Sequence, residues 1–167
     1  MNKQLEHKIR ERVRRRIIVF IICLCLSGIT AFPLLIEITT LHQFFAAHKI
    51  AFISEWIERV YNGIKETETA YPFMAYGTDW LAFSHLVIAV AFLGPLKDPV
   101  RNIWVIQFGR IACIMIFPLA FICGGMRGIP VWWQLIDCSF GVVGYFLLSL
   151  IYWDAYRLES NSQTTNY

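Results

Sequence analysis

The chain lacks the compact motifs that usually announce catalysis. Its 167 residues contain no Gly-rich phosphate loop, no H-E-x-x-H and no G-x-S-x-G, so NTPase, zinc-hydrolase and serine-hydrolase chemistry have no signature here. None of the five cysteines forms a C-x-x-C pair, and dithiol redox chemistry has no motif either. There are four histidines. Only His85 lies inside an apolar run; His7 is in a basic segment, and His42 and His48 follow the first run. A haem held by two facing histidines would need His42 to approach His85. A metal site from His42, His48, Glu37 and Asp79 is chemically allowed, but no recognised ligand spacing supports it, and no metal is assigned. Active sites in membranes need no compact signature, yet no residue pattern points to a reaction, and no catalytic residue is assigned.

What the chain has is apolar length. It is 57% hydrophobic with a mean hydropathy of +0.52, above the roughly 45–50% apolar content of soluble domains. Lys3, Lys8, Arg10, Arg12, Arg14, Arg15 and Arg16 run straight into an apolar stretch from Ile17 to Ile36. About twenty apolar residues match the hydrocarbon thickness of a bilayer. Positive charge on one flank holds that flank in the cytoplasm. No small-x-small cleavage site precedes a soluble domain and further apolar runs follow, so the first run reads as a retained helix rather than a signal peptide. The basic segment 1–16 reads as a cytoplasmic arm that touches anionic lipid headgroups. Nucleic acid is the weaker partner, because no base-stacking aromatics or motif accompany the run.

Four spans are expected, at 17–36, 80–96, 103–122 and 134–153, within a transmembrane domain over 17–153. Thr78 or Asp79 is placed to cap the second helix. Lys97-Asp98-Pro99-Val100-Arg101-Asn102 is a short turn, which makes the second and third spans antiparallel neighbours. With both termini inside, the inner segments hold the seven arm positives plus Lys97, Arg101 and Arg157, against Lys49, Arg59, Lys65 and Arg127 outside. That bias has the sign the positive-inside rule requires. Trp80, Trp132 and Trp133 fall at the outer interface and Trp104 and Trp153 at the inner one, where amphipathic rings prefer to sit. The predicted fold class is therefore all-α, a polytopic four-helix membrane protein.

The connection after the first span carries its own helix. Ile50, Ile53, Ile57, Val60 and Ile64 recur at helical spacing, with polar residues opposite, which predicts an extracytoplasmic amphipathic helix over about 44–65. It is too polar to span and is expected on the outer membrane surface or capping the bundle. Residues 65–69 read as a polar loop, and 154–167 as a polar cytoplasmic tail, mobile from Glu159 onward. There is no internal repeat.

Polar side chains within hydrocarbon are costly, so they are the places to look for function. They are His85, Gln107, Arg110, Gln134 and Asp137. Gln107 and Arg110 are i, i+3 and share a face. Asp137, Gly141 and Gly144 are i, i+4, i+7, so Asp137 heads a small-residue face that a neighbouring helix can approach closely. Counted from the inner ends, Arg110, His85 and Asp137 lie at roughly 10, 16 and 24 Å. Two readings stand. One is a polar column of His85, Gln107, Arg110 and Asp137 that serves as a proton path or holds a quinone headgroup. In the other, Arg110 snorkels inward, Asp137 sits among outer headgroups and His85 bonds a nearby carbonyl or hydroxyl.

Asp79, Arg127, Trp132 and Trp133 would form an outer mouth, with Arg127 attracting an anion. The plainer reading of Arg127 to Trp133 is a tight Gly/Pro turn anchored by tryptophans. Cys23, Cys25 and Cys113 read as small apolar residues. Cys123 and Cys138, near the outer ends of adjoining helices, would be able to form a disulfide in an oxidising compartment.

The run from Thr78-Asp79-Trp80-Leu81-Ala82-Phe83-Ser84-His85 through Lys97-Asp98-Pro99-Val100-Arg101-Asn102 and Arg127-Gly128-Ile129-Pro130 to Leu135-Ile136-Asp137-Cys138-Ser139-Phe140-Gly141 resembles small bacterial integral membrane proteins. The resemblance covers about the last half of the chain. It implies a bacterial inner-membrane location and nothing catalytic. The functional expectation is a non-enzymatic accessory subunit or a binding or sensing module with an outer-facing site, working with a membrane-protein partner or as a homo-oligomer. The alternatives are a quinone- or haem-binding oxidoreductase component and a proton-coupled transporter or channel subunit, the latter oligomerising through Gly141 and Gly144.

Overall fold

A computed structural model describes residues 3–48 and 51–164. Among the described residues the structure is helical, with no strands. The helices are α1 (Lys3–Ala31), α2 (Leu34–His48), α3 (Ala51–Ala70), α4 (Ala75–Ala91), α5 (Leu93–Lys97), α6 (Ile103–Pro118), α7 (Gly124–Met126) and α8 (Val131–Thr164). A 3₁₀ turn at Pro72–Met74 leads into α4, and a π turn at Leu119–Cys123 joins α6 to α7. Lys49 and Ile50, and the last three residues of the expected tail, lie outside the described residues.

Among the described residues, three helical segments are long and apolar enough to cross a membrane: Pro72–Lys97, Ile103–Met126 and Val131–Ser160. A fourth exists if α1 and α2, bent by 88° at a short break, count as one span. Phe140, Val143 and Phe146 on α8 and Met115 and Ile122 near α6 are all exposed. A surface this apolar is stable against lipid tails rather than water.

The chain divides into two compact units, one of residues 1–22 with 89–167 and one of residues 23–88. In the first unit α6 and α8 pack along their lengths. Their approach is close because small residues line it. A Cβ on Gly141 would stand 2.8 Å from the Cys113 carbonyl oxygen, and one on Gly144 would stand 2.9 Å from the Cys113 Sγ. The small-residue face expected from spacing is thus used within the chain, against α6, and is not free for oligomerisation. Pro118 has no N–H for the carbonyl four residues back, and the helix widens into the π turn directly after it. At the α7–α8 turn, Gly128 takes φ +67, a left-handed conformation that glycine adopts without steric cost. The Ile129 N–H returns to the Gly124 carbonyl at 2.9 Å.

The basic arm is the start of α1 itself. Ile9, Val13 and Ile17 recur every four residues and are buried, so the arm has one core stripe beneath its charged faces. Farther along, the Phe20 and Phe92 rings meet with centroids 4.6 Å apart. The tail is likewise a continuation of α8. Leu148, Ile151, Ala155 and Leu158 are buried at helical spacing, carrying one core stripe past the end of the apolar run.

In the second unit the apolar stretch is interrupted. Pro33 ends α1 at Ala31, five residues before the expected end, because a proline disfavours the helical conformation of the residue before it and removes a donor. The amphipathic helix extends to Ala70, so residues 65–69 are helix and not loop. Its apolar face packs on α2: Ile38 and Ile57 are buried, the His42 and Tyr61 rings stack at 4.6 Å, and Ser54 Oγ donates to the Phe45 carbonyl at 3.1 Å. Helix α4 begins at Ala75, which places Thr78 and Asp79 inside its first turns rather than at its cap.

Candidate functional site

A concavity in the second unit follows from the break at Pro33. Helix α1 ends there, α3 runs past it, and α4 starts opposite, leaving a cavity of about 570 Å³. Phe32, Leu35, Val60, Ile64 and Met74 give it apolar walls. Gly63 opens one wall, since nothing stands within 4 Å of where its Cβ would be. Its polar groups are Thr67 and Glu68 from α3 and Thr78 and Asp79 from α4, and among the described residues no lysine or arginine lines it. A space of this size suits a small ligand. Two carboxylates without a cation select a ligand end that donates hydrogen bonds or carries positive charge.

Of the expected outer mouth, Asp79 lines this cavity. Arg127, Trp132 and Trp133 belong to the first unit, where Arg127 is exposed in the α7–α8 turn and the two indoles meet edge to face at 5.5 Å. Buried Gln134 donates to the Ile129 carbonyl at 2.7 Å and supports that same turn. Cys123 and Cys138 are both free in this structure. The register that sets Gly124 against Gln134 leaves Cys123 about 4.5 Å out of step with Cys138 along the helix axis.

The polar residues expected within the spans also divide between the units. In the second, His85 is half-buried and its Nδ1 donates to the Leu81 carbonyl at 2.9 Å. A Cβ on Gly28 would stand 2.8 Å from the Ala82 carbonyl oxygen and 3.2 Å from His85 Cβ, so α1 passes close to that turn of α4. In the first, Arg110 is held by tyrosines. Its Nη2 donates to Tyr145 Oη at 3.1 Å, and its guanidinium carbon lies 5.2 Å from the Tyr145 ring centroid and 4.7 Å from that of Tyr152. Gln107 Nε2 reaches Tyr152 Oη at 3.5 Å. Tyr145, Ser149 and Tyr152 are i, i+4, i+7 on α8 and form a stripe facing the Gln107–Arg110 face of α6. Arg110 Nε is shielded from solvent and has no hydrogen-bond partner. Among the described residues no carboxylate comes within 4.0 Å of Arg110. Asp137 is exposed near the start of α8 and does not meet Arg110. Cation–π contact takes the place of a counter-ion.

The group that sequence reading missed is Asp154. It is 5% exposed and accepts from Arg16 Nη1 at 2.7 Å, with Arg12 Nη1 at 3.9 Å. Arg16 also donates to the Leu150 carbonyl at 3.3 Å. The signal for it was the buried stripe through Ala155 and Leu158, which keeps α8 helical past the last apolar residue.

Comparison with known proteins brings no relative to this geometry. No protein-family model, curated protein or solved structure matches the chain. Function is therefore argued from the site alone.

Proposed function

We propose that this protein is a small integral membrane protein of the bacterial inner membrane that works as a non-enzymatic binding or sensing module, alone or as an accessory subunit. Both termini are cytoplasmic in this reading, which rests on the seven basic residues at the start of α1. That orientation puts the Pro33 break and helix α3 on the outer side. The observation that carries the proposal is the cavity of about 570 Å³ there, apolar in its walls and acidic at Glu68 and Asp79. Its ligand is an amphiphile with an apolar body and a cationic or hydrogen-bond-donating end. The cavity favours this reading over the quinone, haem and proton-path alternatives, because it supplies a concave space while Arg110 is already occupied by two tyrosines.

The test uses the whole chain in nanodiscs titrated with a primary alkylammonium that carries a dansyl group at its far end and with an alkyl sulfate of the same chain length labelled in the same way. The amine should bind more tightly, and Asp79→Asn and Gly63→Phe should each weaken it by about tenfold, the loss of one charge-assisted contact or of the open wall. Equal binding of amine and sulfate, or amine binding untouched by both variants, would reject the reading.

A further inference from the structure

A second groove lies in the first unit, beside the ion pair of Asp154. Arg12, Arg15, Arg16 and Val19 are i, i+3, i+4, i+7 on α1 and share one face. Helix α8 runs alongside in the opposite direction: Arg12 and Arg16 meet Asp154, Arg16 meets the Leu150 carbonyl, and the Phe20 ring comes within 3.9 Å of the Cβ position of Gly144. The three arginines, Val19 and Leu147 line a groove of about 280 Å³ between the two helices.

The ends of this groove differ in chemistry. One end is guanidinium; the other is aliphatic and lies within the apolar run that begins at Ile17. Asp154 takes Arg16 at contact distance and Arg12 only at 3.9 Å. Among the described residues no carboxylate comes within 4.0 Å of Arg15. Three cations against one carboxylate leave an excess of two positive charges at the polar end.

We propose that this groove binds an anionic phospholipid, with its phosphate on Arg12 and Arg15 and an acyl chain over Val19 and Leu147. Arg16 stays on Asp154, and that pair sets the spacing between α1 and α8 that the lipid fills. Charge complementarity selects an anionic head. The aliphatic floor selects a lipid over a soluble phosphate, which would meet the arginines and leave Val19 and Leu147 bare. The groove straddles the level at which headgroups give way to hydrocarbon, since Val19 is only two residues past the start of the apolar run. This inference is independent of the outer cavity.

The experiment is native mass spectrometry of the whole chain in detergent, titrated separately with phosphatidylglycerol, phosphatidylcholine and inorganic phosphate. Phosphatidylglycerol should bind at least about tenfold more tightly than phosphatidylcholine, and inorganic phosphate should not be retained. Arg15→Gln, at an exposed side chain without an intrachain ion pair, should weaken phosphatidylglycerol by about tenfold, and Arg12→Gln/Arg15→Gln further. Arg10→Gln/Arg14→Gln removes the same two charges from the face turned toward Pro95 and Leu96 and should leave binding within about threefold, the limit of general screening-length attraction. Equal loss in both double variants would reduce the effect to overall charge and overturn the site. Phosphatidylcholine binding as well as phosphatidylglycerol, or phosphate binding as well as the lipid, would overturn it too.

Discussion

Replacing Gly141 with alanine tests whether α6 and α8 owe their closeness to the missing side chain. The added Cβ would stand 2.8 Å from the Cys113 carbonyl oxygen and 3.4 Å from Ile116 Cδ1. Carbon and carbonyl oxygen normally approach no nearer than about 3.3 Å, so the two must separate by about half an ångström. The isoleucine methyl can turn aside. The carbonyl cannot, because it belongs to the backbone of α6. The helices must therefore part, and contacts made above and below loosen with them: Gly109 against Leu148 and Phe92, and Gly144 against Cys113. Overpacking of this kind costs about 1–3 kcal/mol. Because the clash is with backbone the cost falls in the upper part of that range, about 2–3 kcal/mol; alanine returns up to about 1 kcal/mol through its better helix propensity, leaving a net loss of at least about 1 kcal/mol. The assay is reversible unfolding in mixed micelles, followed by far-UV circular dichroism. Gly63→Ala is the internal reference, since nothing lies within 4 Å of its Cβ position on α3; it should stabilise by about 0.5–1 kcal/mol. Gly141→Ala as stable as the wild type, with Gly63→Ala stabilising as expected, would refute the close-approach argument.

Two further outcomes follow from ion and ring contacts. A double-mutant cycle with Arg16→Gln and Asp154→Asn should return a coupling of about 1–2 kcal/mol, below the cost of about 3–5 for breaking a fully buried pair, because Arg16 keeps a quarter of its side-chain surface exposed; a coupling under about 0.3 kcal/mol would make the contact incidental. Tyr152→Leu should lower stability by about 1 kcal/mol through the lost cation–π contact, and by less than half of that once Arg110→Leu has removed the cation; equal effects in both backgrounds would show that the ring acts through packing alone.

The helices and the faces they bury were legible because both follow from local periodicity. Asp137, Gly141 and Gly144 mark a close-approach face by spacing alone, and the structure seats Cys113 against its two glycines. Gln107 and Arg110 do share a face, and Tyr145 and Tyr152 share another, seven residues apart. Periodicity does not say which face meets which, so the tyrosines were not recognised as the partners of Arg110. The Pro33 break was visible as a residue but was outweighed by the hydropathy around it. Asp154 was hidden for the opposite reason: it stands just past the apolar run, where composition changes but the core stripe of Ile151, Ala155 and Leu158 does not. The cavity has no sequence signature, since it exists only because three helix ends meet near Phe32.

The pairing of Arg16 with Asp154 has a consequence for the order of biosynthesis. The two residues are 138 positions apart, so the carboxylate that takes Arg16 is made long after it. While the intervening helices are being made, Arg16 carries its charge without that carboxylate, and a positive flank of this kind acts as an orientation signal at a membrane. Once residue 154 emerges, part of that charge is neutralised inside the protein. The same arginine is thus an uncompensated charge early in synthesis and afterwards a tie between α1 and α8.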